Sequence, residues 1–393
     1  MKIRPLSVAT AITLFAALTP PVQLAAQERN QQPPRYTVTD LGTLGGTMGS
    51  ATAVNNRGSV AGIATLPGDT ERHGFLWRLD RKTDLGTLGG PNSFAAFLNE
   101  MGMVAGSAET SIADPLGEDF CTTGNHLTCL AFLFQDGSMS PLPTLGGNNG
   151  SASGINNRGQ VVGVAENPTA DPTCPSPPVF PFFSVLESKP VIWKKGEIQQ
   201  ELPTIGGDPD GFASSINDNG QVVGQTGNCT SVLHAVLWNK GVPTELGRLR
   251  GLLLTPTDIN NKGQIVGFAA SPDFTVFRAF LWENGVARDL GTIAPDVKSL
   301  AFGINDKGQI VGDSCDEFFD CRAFLWQDGT MTDLNTLVHT PNAPFLEEAF
   351  SINSRGQIAG RTTVQGTPLA DAYLATPSHD EAVGEHAAPA VTN

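Results

Sequence analysis

The segment "INNKGQIVG", Ile259–Gly267, decides the fold because its pattern occurs seven times along the chain. The pattern is an apolar residue, Asn, two variable residues, Gly, any residue, Val or Ile, any residue and Gly. The other copies begin at Val54, Leu98, Ile155, Ile216, Ile304 and Ile352. Successive copies start 43 to 61 residues apart, and a recurrence of this kind indicates a repeat architecture.

Each repeat contains two further short sequence motifs besides this pattern. One is a strand-like word ending in an aromatic residue, such as "RAFLW" from Arg278, and the other is a Leu-Gly word such as "DLGTL" from Asp84. The Asn-x-x-Gly link suits a tight turn between short strands, since Asn favours the first turn position and Gly accepts a positive φ. We therefore predict four antiparallel strands per repeat, named A to D in chain order, which match one propeller blade. The tryptophan that recurs in strand C is expected to pack between blades.

The two ends of the repeat region predict how the ring closes. The last repeat has no strand D, whereas "RYTVTDLGTL", from Arg35, supplies a strand D before any strand A. If this N-terminal strand completes the last blade, seven blades have four strands each and no sheet edge is left bare. We predict an all-β, seven-bladed β-propeller. The alternative is a β-solenoid, which would need a cap at both ends, and we recognise none in the sequence.

The N-terminus resembles a cleaved secretory signal. Lys2 and Arg4 precede the apolar run Leu6–Leu18, and Ala25 and Ala26 offer a cleavage point. The run is shorter than the roughly 20 residues that a membrane span needs, and we expect no span in the mature chain. The predicted segments are a signal peptide at 1–26, a linker at 27–34, the propeller at 35–375 and a disordered tail at 376–393. The expected location is secreted, extracellular or periplasmic.

The net charge limits the classes of partner that we expect, and the cysteine content indicates the redox environment of the protein. The net charge of −15 becomes −17 when the leader's two positive charges are removed, which argues against nucleic acid and anionic membrane surfaces as partners. Six cysteines without a Cys-x-x-Cys pair favour disulfides over zinc. All six fall between strands B and C. Because blades 2 and 6 contain two each and the adjacent blades 3 and 4 one each, we predict the pairs Cys121–Cys129, Cys315–Cys321 and Cys174–Cys229.

The combined words "INNKGQIVG" and "RAFLWENGVARDLGTI" resemble the HAF repeat, over roughly residues 36–375. Proteins with this repeat are mostly bacterial and extracellular. The resemblance implies secretion and a repeat fold, and it carries no established activity or catalytic residues. The departures fall in blades 2, 3 and 5, where "LAFLF", "PVIW" and "ELGRLRG" alter the usual words.

The loops between strands B and C are the expected place for a binding surface. Up-and-down strand order puts these loops on one face of the ring, and those of blades 2 and 3 are much longer than the rest. The candidate binding residues are Asp114, Glu118, Asp119, Phe120, Phe180, Phe182 and Phe183. The alternative is that the phenylalanines only cover the channel mouth.

The expected function is that of a secreted, monomeric, non-catalytic binding or scaffold protein whose partner is a glycan or an extracellular protein. We identify no catalytic residue, because no convergent set of titratable side chains is visible in the sequence. The alternative is an extracellular propeller enzyme, such as a polysaccharide lyase or glycosidase. We expect no cofactor. The acids of the loop "DSCDEFFDC", from Asp313, offer oxygen ligands for Ca²⁺, with a solvated acidic loop as the alternative.

Overall fold

The computed structural model describes residues 34–174, 184–229, 231–363 and 369–378 as seven antiparallel sheets arranged in a ring. This is the predicted seven-bladed β-propeller. The predicted signal peptide lies outside the described residues, as do nearly all of the predicted linker and tail. In the described ranges the one helical element is a 3-10 turn at Leu334–Leu337. No helix among these residues has the length and apolar character needed to cross a bilayer.

In blades 1 to 6 the strands follow chain order from strand A outwards, and in blade 5 a short additional strand precedes strand A. Blade 1 contains β2 (Gly49–Val54), β3 (Val60–Thr65), β4 (Arg72–Arg78) and β5 (Arg81–Asp84). Blade 2 contains β6 (Gly89–Leu98), β7 (Val104–Ala113), β8 (Leu127–Gln135) and β9 (Ser138–Pro141). Blade 3 contains β10 (Gly150–Ile155), β11 (Gln160–Ala170), β12 (Leu186–Lys194) and β13 (Glu197–Glu201). Blade 4 contains β14 (Asp210–Ile216), β15 (Gln221–Asn228), β16 (Ser231–Asn239) and β17 (Val242–Glu245). Blade 5 contains β18 (Arg248–Leu249), β19 (Leu252–Ile259), β20 (Ile265–Ala270), β21 (Phe277–Glu283) and β22 (Val286–Asp289). Blade 6 contains β23 (Lys298–Ile304), β24 (Ile310–Cys315), β25 (Cys321–Gln327) and β26 (Thr330–Asp333).

Blade 7 joins the two ends of the described chain. It contains β27 (Phe345–Ile352), β28 (Ile358–Thr363) and β29 (Ala372–Ser378), with β1 (Arg35–Gly42) as its outer strand. The pairing of β1 with β29 is antiparallel and runs from Arg35 opposite Ser378 to Gly42 opposite Ala372. The predicted closure by the N-terminal strand is therefore confirmed, and the solenoid alternative is wrong.

Both glycines of the repeat pattern have a steric cause. The glycine of the A–B turn has a φ between +70° and +83° in all seven blades, a region that favours glycine. The final glycine lies in strand B, where a Cβ atom would come within 2.0 to 2.2 Å of a backbone oxygen of strand A in every blade. The first glycine of the pattern is therefore needed for the turn, and the final glycine for the close approach of strands A and B.

The asparagine of the pattern links each blade to the next. Its Oδ1 accepts the backbone N–H groups two and four residues further on, at 2.9 to 3.1 Å in all seven blades. Its Nδ2 donates to the backbone carbonyl of the equivalent asparagine in the following blade, at 2.8 to 3.1 Å. The ring runs through Asn55, Asn99, Asn156, Asn217, Asn260, Asn305 and Asn353, and Asn353 donates back to Asn55.

Apolar side chains pack between neighbouring blades, as expected for the tryptophans. Trp193 of blade 3 is fully buried in a cluster that includes Ala105 and Ala131 of blade 2. Its indole N–H donates to the carbonyl of Pro143, at 2.8 Å, in the segment that crosses from blade 2 to blade 3. Trp193 therefore packs against blade 2 and also hydrogen-bonds to the segment that connects blade 2 to blade 3.

Blade 5 has one strand more than the sequence predicts. The short strand β18 pairs with the start of β19, with Arg248 opposite Leu253 and Leu249 opposite Leu252. Arg250 and Gly251 connect them with φ values of 50° and 88°. Two successive positive φ values are typical of the tight turn of a two-residue hairpin, which explains why "ELGRLRG" departs from the repeat.

Candidate functional site

A cavity of about 640 Å³ lies on the B–C loop face at blades 2, 3 and 4. Strands A and B of these blades form its inner wall, and the loops that follow strand B form its outer wall. Its volume is within the roughly 300–1,000 Å³ that is usual for small-molecule sites. The cavity lies on the predicted loop face and adjoins the long loops of blades 2 and 3, and it also extends to blade 4.

Two positions of the repeat form the inner wall. Strand A contributes the residue five positions before the asparagine, and strand B contributes the residue after the final glycine. In blades 2, 3 and 4 these residues are Phe94, Ser151 and Phe212 on strand A and Ser107, Val164 and Gln225 on strand B. In blades 1, 5, 6 and 7 the strand A position holds Ser50, Thr255, Leu300 and Glu348. The strand B position of the same blades holds Ile63, Phe268, Asp313 and Arg361. The chemistry of the wall thus changes from blade to blade on a constant scaffold.

The cavity lining combines aromatic rings with hydroxyl groups. Phe94, Phe120 and Phe212 contribute the rings. The hydroxyls of Ser107, Ser151 and Ser188 also line the cavity, and they make no hydrogen bond to another described residue. Such hydroxyls are available to a ligand.

Asp210 is the one carboxyl group among the described lining residues, which include no Lys, Arg or His. It accepts the backbone N–H of Ser188 at 3.0 Å. Burial raises the pKa of Asp210 to about 7, and the neighbouring Asp171 adds to the rise. Near neutral pH this group is therefore partly protonated, and it can donate as well as accept a hydrogen bond.

Disulfides hold the loops around the cavity. Cys174 and Cys229 join the loops of blades 3 and 4 across 55 residues of sequence. Cys121 and Cys129 form a bridge within blade 2 that itself lines the cavity. The third bridge, Cys315–Cys321, lies in blade 6. All three predicted pairs are confirmed.

The predicted binding residues occupy different environments. Phe120 lines the cavity. Asp119 lies in the same loop, where its carboxylate accepts the N–H groups of Thr123 at 3.0 Å and Gly124 at 2.9 Å. Phe180, Phe182 and Phe183 lie outside the described residues.

Asp114 and Glu118 are buried, in contrast to the exposed positions that we expected. The side-chain amide of Asn149, from the start of blade 3, donates to Asp114 at 2.9 Å and to Glu118 at 3.1 Å. Glu118 also accepts the N–H of Val185 in the blade 3 loop. Burial, and then Glu166, raise the pKa of Glu118 to about 7. These carboxyl groups fix the loop of blade 2 to blade 3 because they are the acceptors for buried donors of that blade.

A second group of titratable side chains lies on blades 6 and 7, across the ring from blade 3. Arg361 contacts Glu348 at 3.0 Å and Glu347 at 3.3 Å between guanidinium and carboxylate atoms. Burial raises the pKa of Glu348. Burial, and then Glu348, hold the pKa of the Asp313 carboxyl well above its usual range. Carboxyl groups with raised pKa values can take part in proton transfer, and the guanidinium of Arg361, which stays charged, can stabilise negative charge beside them.

Glu348 and Arg361 are not among the predicted site residues, although the sequence contains a signal for them. Each replaces the apolar, small or hydroxylated residue that most other blades have at the same repeat position. Asp313 was grouped with the acids of its loop, but it lies on β24 and accepts the N–H of Ala349 in blade 7, at 3.4 Å. Asp316 instead accepts N–H groups of its own loop, from Phe318 at 2.8 Å and Asp320 at 3.0 Å.

Among the described residues, one group brings together three potential metal-ligand atoms. It consists of Asp171, Cys174 and Cys229. Both sulfur atoms belong to the disulfide that joins blades 3 and 4. A disulfide sulfur is not the thiolate that metal ions bind, so the chemistry of this group fits a bridge rather than a zinc site.

The chain matches no family model and no curated protein, but it is similar to solved propeller structures. An oligogalacturonate lyase in complex with manganese has 12% identity and a TM-score of 0.50, with 88% of this chain and 97% of that chain covered. A prolyl endopeptidase structure has 9% identity and a TM-score of 0.51, with 85% and 49% covered. The β-propeller domain of the Trilobed protease from Pyrococcus furiosus has 11% identity and a TM-score of 0.46, with 74% and 84% covered. At these identities the likeness supports the fold alone.

Proposed function

We propose that this protein is a secreted, non-catalytic binding protein that takes a small ligand, or one end of a glycan, into the cavity of blades 2 to 4. The cavity itself carries the proposal, since its aromatic wall and available hydroxyls are the usual features of a ligand site. Secretion is supported by the basic and apolar N-terminus and by three disulfides, which persist in oxidising compartments. The HAF-repeat resemblance points the same way.

The decisive test fills the cavity without disturbing the scaffold. Ser151→Phe places a ring in the wall at a repeat position where blades 2 and 4 already hold Phe94 and Phe212. We expect any ligand found on a glycan array to bind this variant about tenfold more weakly or worse, because the ring occupies its space. Affinity is measured by calorimetry, and folding by circular dichroism.

Ser50→Phe is the matched control, because Ser50 has the same repeat position in blade 1 and does not line the cavity. This variant should bind like the wild type. If the two variants bind equally well, the ligand does not use this cavity and the proposal is wrong.

The second candidate function is an extracellular enzyme acting on a polysaccharide. The ion pair of Arg361 with Glu348, and the charge interactions of both with Asp313, favour it. Paired carboxyl groups are the usual acid and base of glycoside cleavage. Incubation with a panel of polysaccharides, followed by detection of new reducing or unsaturated ends, separates the two functions. Cleavage that is lost in Glu348→Gln would support the enzyme, whereas binding without cleavage supports the first proposal.

A further inference from the structure

We propose that the ligand of the blade 2–4 cavity is a neutral, hydroxyl-rich ring, that is, a neutral saccharide unit rather than a uronate or another anion. This inference rests on the proposed binding function and adds the chemical class of the ligand. Three independent properties of the lining lead to it: its charge, the state of the Asp210 carboxyl group and its pairing of rings with hydroxyls.

The charge of the cavity disfavours an anion. No Lys, Arg or His is present among the described lining residues. Lys189, whose charge acts on Asp210, is already paired with Glu187 at 3.0 Å and donates to the carbonyl of Pro209. The carboxyl groups of Asp114, Glu118 and Glu166 converge on Asn149 in the neighbouring blade 2–3 contact. The whole chain has a net charge of −15. An anionic ligand would lose its hydration and meet a field of its own sign.

Asp210, the one carboxyl group among the described lining residues, is poorly suited to act as a counter-ion for a cation. Asp210 already accepts the N–H of Ser188 and has the carboxyl group of Asp171 beside it. Its pKa of about 7 leaves much of it protonated in neutral solution. A protonated carboxyl group both donates and accepts, which suits the hydroxyl groups of a neutral ligand.

The remaining surface offers the two kinds of contact that a sugar ring makes. The rings of Phe94, Phe120 and Phe212 provide apolar faces, and an aromatic face with its negative quadrupole attracts the C–H groups of a pyranose. The hydroxyls of Ser107, Ser151 and Ser188 provide donors and acceptors beside these faces. A purely apolar ligand would leave those hydroxyls buried without partners, which is unfavourable.

The test compares matched probes on the full mature protein. The set contains gluco-, manno-, galacto- and xylo-oligosaccharides, the gluco-, manno- and galacturonate oligomers, and glucosamine oligomers as cations. We expect binding of at least one neutral member, at least about tenfold tighter than that of its charged counterpart. Its affinity should change less than about twofold between low and high salt, because no ion pair forms.

Three results would count against the inference, and each has a different meaning. Preferred binding of a uronate or glucosamine oligomer that Ser151→Phe weakens would keep the cavity as the binding site but overturn its neutral ligand class. Absence of binding by every probe would overturn the saccharide class but would leave a small ligand of another class for the cavity. Binding that Ser151→Phe leaves unchanged would overturn the proposed function together with the inference.

Discussion

At the scale of single residues, the turn asparagine combines two tasks that no other side chain combines as well. Its carbonyl oxygen satisfies two amides of its own turn, and its amide nitrogen reaches the carbonyl of the next blade. Aspartate could perform the first task but has no donor for the second. The presence of asparagine in all seven repeats follows from this double requirement.

Asn260→Ala should lower the free energy of unfolding by about 1–3 kcal/mol, because it leaves buried partners without a hydrogen bond. Asn260 is 4% exposed. Its neighbour Asn261 is exposed and bonds to Asp306, so Asn261→Ala is a matched control with an expected loss of about 0.5 kcal/mol or less. Urea denaturation measures both. Equal losses in the two variants would contradict a special role for the buried ring.

Asp210 should make stability depend on pH. Its pKa is about 7 in the folded protein and near 4 in an unfolded chain, so the folded state retains a proton that the unfolded state releases between these values. Stability therefore falls as pH rises through this range. Asp210→Asn cannot ionise, and it should be more stable than the wild type at pH 8 by about 1–2 kcal/mol. At pH 4.5 the two proteins should differ little, and a difference that does not change with pH would contradict this origin.

At the scale of elements, the loops after strand B are supported by covalent bonds and by buried carboxyl groups rather than by sheet pairing alone. The bridge between Cys174 and Cys229 connects the loops of two blades. Asn149 connects the loop of blade 2 to the start of blade 3. A cavity wall made of loops can therefore keep a defined shape.

Replacing Cys174 and Cys229 together by Ser should lower stability by up to about 4 kcal/mol, because the bridge closes a loop of 55 residues. We also expect weaker ligand binding, since Ser184 and Asn228 near this bridge line the cavity. The control replaces Cys315 and Cys321, which are 6 residues apart in blade 6, with an expected loss of about 2 kcal/mol or less and unchanged binding. Thermal unfolding and calorimetry check both effects. Unchanged binding in the first variant would show that the bridge does not shape the site.

At the scale of the whole molecule, closure depends on a strand that is distant in sequence from its partner. β1 covers the edge of β29 over its full length, and Tyr36 and Val38 belong to the apolar core between blades 6 and 7. The first strand of the propeller is thus needed to finish its last blade.

A chain that begins at residue 43, and so lacks β1, should unfold at a temperature at least about 10 °C lower than a chain that begins at Arg35. The reason is that it loses the buried side chains of β1 and exposes the edge of β29. Scanning calorimetry gives the temperatures, and light scattering reports association through the bare edge. Equal unfolding temperatures would contradict a role for β1 in closure.

The repeated motifs made the blades, their order and the closing strand predictable. A strand that is uncertain in one repeat can be assigned from the other six copies. The fifth strand of blade 5 was not predicted, since "GRLRG" departs from the repeat and its turn depends on two positive φ values. The burial of Asp114 and Glu118 was hidden because a carboxylate in a polar loop is normally solvated. Their partner, Asn149, comes from the next blade, and only the ring brings it near.

The circle of asparagine hydrogen bonds has a consequence for how such a protein can diversify. A circle has no terminal member, so a repeat cannot be added or lost at an end: an eighth blade would have to open one of the seven amide–carbonyl links and change the curvature at all the others. Blade number is therefore resistant to gradual change. On the opposite face the described residues form no such ring of hydrogen bonds, so its loops can differ in length from blade to blade, and those of blades 2 and 3 are longer than the rest. New recognition can arise there while the count of blades stays the same.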